Sequence, residues 1–221
     1  MRDFKYLIII SMISVSLLNI AMLFTYRLIE IGPFLVPGGV IVFPLTYVFA
    51  DIVAEVYGYK NARLLIWGNF ICILVFNITA RALLHLPASS YVPYDGSYHL
   101  MFEHSLLIVF GYSMGFACGD FLNAYAISKL GAYWSGRYFV FRSIASSVVG
   151  QIVFSVIVSL LIYSSQLEGL ALARQFLSTI FMKIIIITIF AYPSYILVLI
   201  IRRMEKLDVQ EYSGNKKPAL F

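Results

Sequence analysis

The chain has 221 residues, 61% of them apolar and only 12% charged, with net charge +5 and mean hydropathy +0.89. A soluble domain is roughly 45–50% apolar and about a quarter charged, and one this size still exposes much of its surface to water. A soluble fold is therefore excluded, disorder is excluded because there is too much to bury, and the composition reads as an all-α, polytopic membrane protein.

A bilayer core of about 30 Å takes roughly 20 apolar helical residues, and six stretches meet that length. The first is 6–26. Arg2 and Lys5 precede it as in a signal peptide, but the run is long, lacks an A-x-A exit and is followed by more spans, so it reads as a retained helix. After the breakers Gly32-Pro33 and Pro37-Gly38-Gly39 comes the second span, 39–57, and then 64–84. A polar, aromatic loop from Pro87 to Tyr98 leads to 104–128, followed by 138–163 and 176–201. Residues 1–201 are thus expected to form a single six-helix transmembrane domain, and 202–221 a polar tail. Cys72 and Cys118 lie inside apolar runs and read as small buried hydrophobes.

Basic residues set the expected orientation. With six spans and an inside N-terminus, eleven of the sixteen Lys and Arg residues fall on the cytoplasmic side: Arg2, Lys5, Lys60, Arg63, Lys129, Arg137, Arg202, Arg203, Lys206, Lys216 and Lys217. Arg27, Arg81 and Arg174 fall outside, while Arg142 and Lys183 lie within spans. The positive-inside rule then places both termini in the cytoplasm, and the basic balance is assigned to anionic lipid, with no nucleic-acid partner.

Five charges fall within spans: Asp51, Glu55, Asp120, Arg142 and Lys183. Each costs about 2.5–3.5 kcal/mol or more at a helix centre and usually faces a bundle interior or a wet cavity. Asp51 and Glu55 are four residues apart and share a helix face, with Pro44, Tyr47 and Gly58 close to it. Asp120 and Asn123 share a face of the fourth span. Arg142, Ser146 and Gly150 form a stripe on the fifth, with Ser143, Ser147 and Gln151 beside it. Counted at about 1.5 Å per residue from the outer ends, Gln151 and Lys183 lie roughly 10 Å deep, and the other charges deeper. A pocket or pathway with a floor is expected. The bland alternative is that Arg142 neutralises Glu55 or Asp120 and only holds the bundle together.

Three apparent motifs carry no chemistry. Gly111-Tyr112-Ser113-Met114-Gly115 matches G-x-S-x-G but lacks the strand–turn–helix of a nucleophile elbow. Gly111, Gly115 and Gly119 read instead as a small-residue row for close helix packing. Asn77-Ile78-Thr79 is a glycosylation triplet inside a span. His85, His99 and His104 lack a carboxylate at ligand spacing, and Tyr91, Tyr94 and Tyr98 read as an interfacial aromatic belt.

The segment from Phe43-Pro44-Leu45-Thr46 through Asp51-Ile52-Val53-Ala54-Glu55-Val56-Tyr57-Gly58 resembles the signature of the queuosine precursor transporter family, once catalogued as vitamin uptake transporters. It is followed by a basic turn, Lys60-Asn61-Ala62-Arg63. Gly119-Asp120-Phe121-Leu122-Asn123-Ala124-Tyr125 and the run from Gly136-Arg137 through Arg142 to Gly150-Gln151 are similar to two further family motifs, and Lys183 with Tyr192-Pro193 also fits. One departure is Phe154, where the family often carries an acidic residue. The resemblance covers spans two to six and implies uptake of 7-cyano- or 7-aminomethyl-7-deazaguanine across the bacterial inner membrane. It also implies a six-helix architecture similar to substrate-binding subunits of energy-coupling-factor transporters, acting as a homo-oligomer or with energising partner subunits. No cofactor, metal or catalytic residue is expected.

Such a base has N–H donors on one edge beside a carbonyl, and a carboxylate can accept from two of them. The expected site comprises Asp51, Glu55, Asp120, Asn123, Gln151 and Lys183, with Tyr47, Phe49 and Tyr57 as stacking rings and Arg142 as a structural or coupling charge. The alternatives are a carrier or binding subunit for another vitamin or purine-like solute, an intramembrane enzyme, or a scaffold.

Overall fold

A computed structural model describes residues 5–25, 27–87, 95–102 and 105–205. Helix α1 spans Lys5–Leu23; strands β1 (Leu28–Ile31) and β2 (Phe34–Pro37) follow; then come α2 (Phe43–Tyr57), α3 (Tyr59–Leu84), α4 (Asp95–Phe102), α5 (Ser105–Tyr133), α6 (Phe139–Leu161) and α7 (Gly169–Met204). Among the described residues, six helices are long and apolar enough to cross a membrane, with the short α4 in the connection before α5. Tyr91, Tyr94, His104 and the basic residues of the tail beyond 205 lie outside the described residues.

The expected helices are present, and their ends are displaced in a consistent way. The third starts at Tyr59, so the basic turn Lys60–Arg63 is its first helical turn. The fourth runs to Tyr133, and the last extends from Gly169 to Met204. Hydropathy marks only the part of a helix suited to hydrocarbon, whereas backbone hydrogen bonding continues through polar residues at either end. The breaker-rich segment after α1 forms an antiparallel hairpin, Leu28 opposite Pro37 and Ile31 opposite Phe34, with Gly32 at φ +58° in the turn. The Gly38 N–H closes it by donating to Arg27 O at 2.7 Å. Two strands of four residues are too short for a period-2 signal to stand out from the adjoining breakers.

Helix α2 is the axle of the bundle. It packs on α1, α3, α5, α6 and α7, and 78% of its span is buried against 28% for α1 and 33% for α3. The outer helices turn Met12, Leu64, Ile71, Val75, Phe110, Phe141 and Leu160 outward, the arrangement lipid permits and water penalises.

Helices α2 and α3 are joined by Gly58 alone, at φ 88° and ψ 166°. That conformation is essentially confined to glycine, and forcing a side chain into it costs about 1–3 kcal/mol. Gly58→Ala is expected to lower stability by that amount in a denaturant titration of the solubilised protein. An unchanged midpoint would show that the junction relaxes freely.

Candidate functional site

The buried charges face the bundle interior, as expected, but they occupy separate storeys. At the end of the bundle where α1 begins and α7 ends, Glu55 is clamped by two arginines. Arg142 on α6 reaches Glu55 Oε2 at 3.1 Å and Arg202 on α7 reaches Oε1 at 2.8 Å. Arg202 also donates to the Glu55 carbonyl oxygen at 2.8 Å. The remaining Arg142 donors go to the carbonyls of Arg137, Ile127 and Gly136. These belong to the end of α5 and its tight connection to α6, where Ser135, Gly136 and Tyr138 all have positive φ. A fully buried guanidinium is tolerable only when its charge and donors are all answered.

One helical turn along α2, Asp51 is satisfied by neutral donors. Asn123 Nδ2 donates to Oδ1 at 2.8 Å, and the hydroxyls of Ser143 and Ser147 reach Oδ2, Ser147 at 3.1 Å. Ser147 Oγ is also 3.3 Å from Asn123 Oδ1, and its one proton can serve only one of these acceptors. Asp51 therefore ties α2 to α5 and α6 without a cation.

Further from the clamp lie Tyr47, Asp120 and Gln151, all buried. Tyr47 and Asp120 are hydrogen-bonding neighbours. Both amide atoms of Gln151 complete no hydrogen bond among the described residues; buried polar atoms are nearly always paired, so the Gln151 amide is the open group of this layer. Gly119 and Gly150 bring α5 and α6 together here: a Cβ on Gly119 would lie 2.6 Å from Tyr47 Oη and 2.7 Å from Gly150 O. The small-residue row is thus a packing device, with Gly111 and Gly115 facing the side chains of Ile162, Phe154 and Val158.

Beyond this layer, beneath the hairpin, is a narrow pocket whose free volume of about 10 Å³ has room for one water molecule. It is lined by Phe43, Tyr112, Phe154, Ser155, Ser159, Tyr163, Gln175, Thr179 and Lys183, with Pro37, Gly39, Val40 and Val158. Lys183 Nζ donates to Ser155 Oγ at 3.0 Å and sits over the rings of Phe43 and Phe154, at 4.9 and 4.3 Å. No carboxylate of the described residues pairs with it within ion-pair distance. Phe43 and Phe154 stack on each other at 4.2 Å, and Tyr112 meets both edge-on.

Of the site residues expected from sequence, Lys183 alone lines this pocket. Asp51, Glu55, Asp120, Asn123 and Gln151 lie in the closed interior, and Tyr47 packs against the Gly119–Gly150 crossing. Phe49 is half-buried in the hydrophobic core, and the Tyr57 hydroxyl donates to Glu205 at 2.7 Å near the end of α7, so neither ring is at the pocket. The rings that are there, Phe43, Tyr112 and Phe154, were not singled out as stacking candidates, because long apolar runs offer no mark that separates a lining ring from a core ring. Phe154, the residue at the departure from the family pattern, is the ring beneath the Lys183 ammonium. Helix α7 begins at Gly169, seven residues before its apolar run, so Lys183 stands 14 residues, about 21 Å, from the start of that helix.

Among the described residues, six membrane-length helices thus enclose five buried charges and a small pocket. A family model described as "Putative vitamin uptake transporter" matches residues 37–200. The chain belongs to that family, and its class is that of a multi-pass membrane transporter. No curated protein and no solved structure gives a significant match.

Proposed function

We propose that this chain is an uptake transporter for queuosine precursors, 7-cyano- or 7-aminomethyl-7-deazaguanine, in the bacterial inner membrane with both termini in the cytoplasm. The observation that carries this reading is the pocket with the buried Lys183 amine, hydrogen-bonded to Ser155, among three aromatic rings. Entry of a flat base parts the Phe43–Phe154 pair, now stacked at 4.2 Å, and stacking is worth about 1–3 kcal/mol per base. Lys183 uses one of its three donors on Ser155, leaving two for the carbonyl of the base. Asp120 and the open amide of Gln151, one layer below, suit the N–H edge once the base moves inward. The family's description as vitamin uptake supports a second reading, a flat vitamin in the same pocket.

Restoration of queuosine in tRNA, in cells unable to make the precursors, tests the reading: growth medium containing either base should restore the modification only when this chain is present. Binding of a panel of bases and vitamins to the purified protein separates the two solutes.

Lys183→Met is expected to reduce uptake at least about tenfold, since a hydrogen bond to a charged donor contributes about 1.5–3 kcal/mol. Its thermal stability should be unchanged or higher, because an apolar side chain of similar length replaces a buried charge. Loss of stability with normal uptake in the surviving protein would make Lys183 a structural residue and sink its role in binding.

A further inference from the structure

We infer, resting on the transport reading above, that Glu55, Arg142 and Arg202 form a gate that closes the pathway at the end of the bundle where α1 begins and α7 ends. The pocket and the clamp lie at opposite ends of the same helices. On α6, Ser155 of the pocket is 13 residues, about 20 Å, from Arg142 of the clamp. On α7, Lys183 and Arg202 are 19 residues apart. Between them runs the line of buried polar side chains, Gln151, Asp120, Asn123, Ser147 and Asp51, a route a polar solute could follow if the clamp released.

The clamp has the properties of a latch rather than of a permanent staple. Glu55 sits near the end of the central helix and is held from two sides, by Arg142 of α6 and Arg202 of α7. Arg202 is 24% exposed at the surface, so water can compete for it directly. A second tie runs beside it: Glu205 accepts from the Tyr57 hydroxyl at 2.7 Å and from the Tyr6 N–H at 3.3 Å, joining the ends of α1, α2 and α7. Pro193 lies in α7 between Lys183 and Arg202. A proline in a helix interior removes one backbone hydrogen bond and permits a bend there. Bending at Pro193 would carry Arg202 and Glu205 away from α2 together while leaving Lys183 in the pocket. Arg142, anchored by three carbonyls of the α5–α6 connection, would stay as the fixed jaw.

The test needs no transported solute. With Cys72 and Cys118 replaced by serine, Ser147→Cys places a thiol between clamp and pocket. Its reaction with a membrane-impermeant maleimide is timed in vesicles of each orientation, the exposed face being identified by protease access to a terminal tag. With the clamp intact, labelling from the face where α1 begins and α7 ends should be slow. Glu55→Gln and, separately, Arg202→Gln should each accelerate it at least tenfold from that face, with little change from the other. Arg202→Gln leaves the buried Glu55–Arg142 pair in place and covers the case in which Glu55→Gln does not fold. Unchanged labelling in both folded variants, or equal acceleration from both faces, would overturn the gate.

Discussion

Glu55→Ala is expected to lower the stability of the solubilised protein by about 3–5 kcal/mol, the largest effect of any single polar substitution in the bundle. The reason is what stays behind. Arg142 has no measurable exposure and, among the described residues, takes its counter-charge from Glu55 Oε2 alone. Without that carboxylate, the guanidinium keeps three backbone carbonyls and no anion of the described residues. Breaking a buried pair by removing one partner costs several kcal/mol, whereas replacing both by apolar residues is often close to neutral. Glu55→Leu combined with Arg142→Met should therefore recover most of the loss, even though it removes the gate. Unfolding of the two single variants and the double variant in a denaturant series measures this coupling directly. A double variant no more stable than the worse single one would mean that Arg142 stabilises the fold through the α5–α6 carbonyls and not through Glu55.

The second large effect is expected at Gly119. An added Cβ would stand 2.6 Å from Tyr47 Oη and 2.7 Å from the Gly150 carbonyl oxygen. The first neighbour could swing away, but the second is backbone of the facing helix, so α5 and α6 must separate. Overpacking of this kind costs about 1–3 kcal/mol, and Gly119→Ala should reach the upper part of that range. Tyr47→Phe would remove only the hydroxyl clash and should restore only part of the loss. Gly115→Ala, whose Cβ would meet side-chain atoms of Phe154 and Val158 at 3.0–3.1 Å, should cost less. Gly68, with nothing within 4 Å, should tolerate alanine or gain from its higher helix propensity. Equal costs at Gly119 and Gly115 would contradict backbone contact as the cause.

Much of the bundle was legible because the bilayer imposes a length on each apolar run and a penalty on each charge within it. Asp51, Glu55, Asp120, Arg142 and Lys183 stand out from their apolar surroundings, and all five are buried. The pairing of Arg142 with a carboxylate was also anticipated, with Glu55 and Asp120 left as alternatives. Which carboxylate takes the arginine depends on helix rotation and relative height, and these are set by contacts such as the Gly119–Gly150 crossing. The second arginine on Glu55 was missed because Arg202 falls at a helix end, where a basic residue is ordinary at a membrane boundary.

The sequence by itself determined that the chain is a membrane-embedded helical bundle, where its apolar runs lie and which ionisable residues must turn inward. Those properties follow from burial costs that act on each residue separately. Only the tertiary structure decided that the inward charges divide into a clamp, a hydroxyl-lined carboxylate, a layer of Tyr47, Asp120 and Gln151, and a pocket. That division depends on which side chains of six helices meet at one height, and no local pattern along a single helix encodes the rotation of its neighbours.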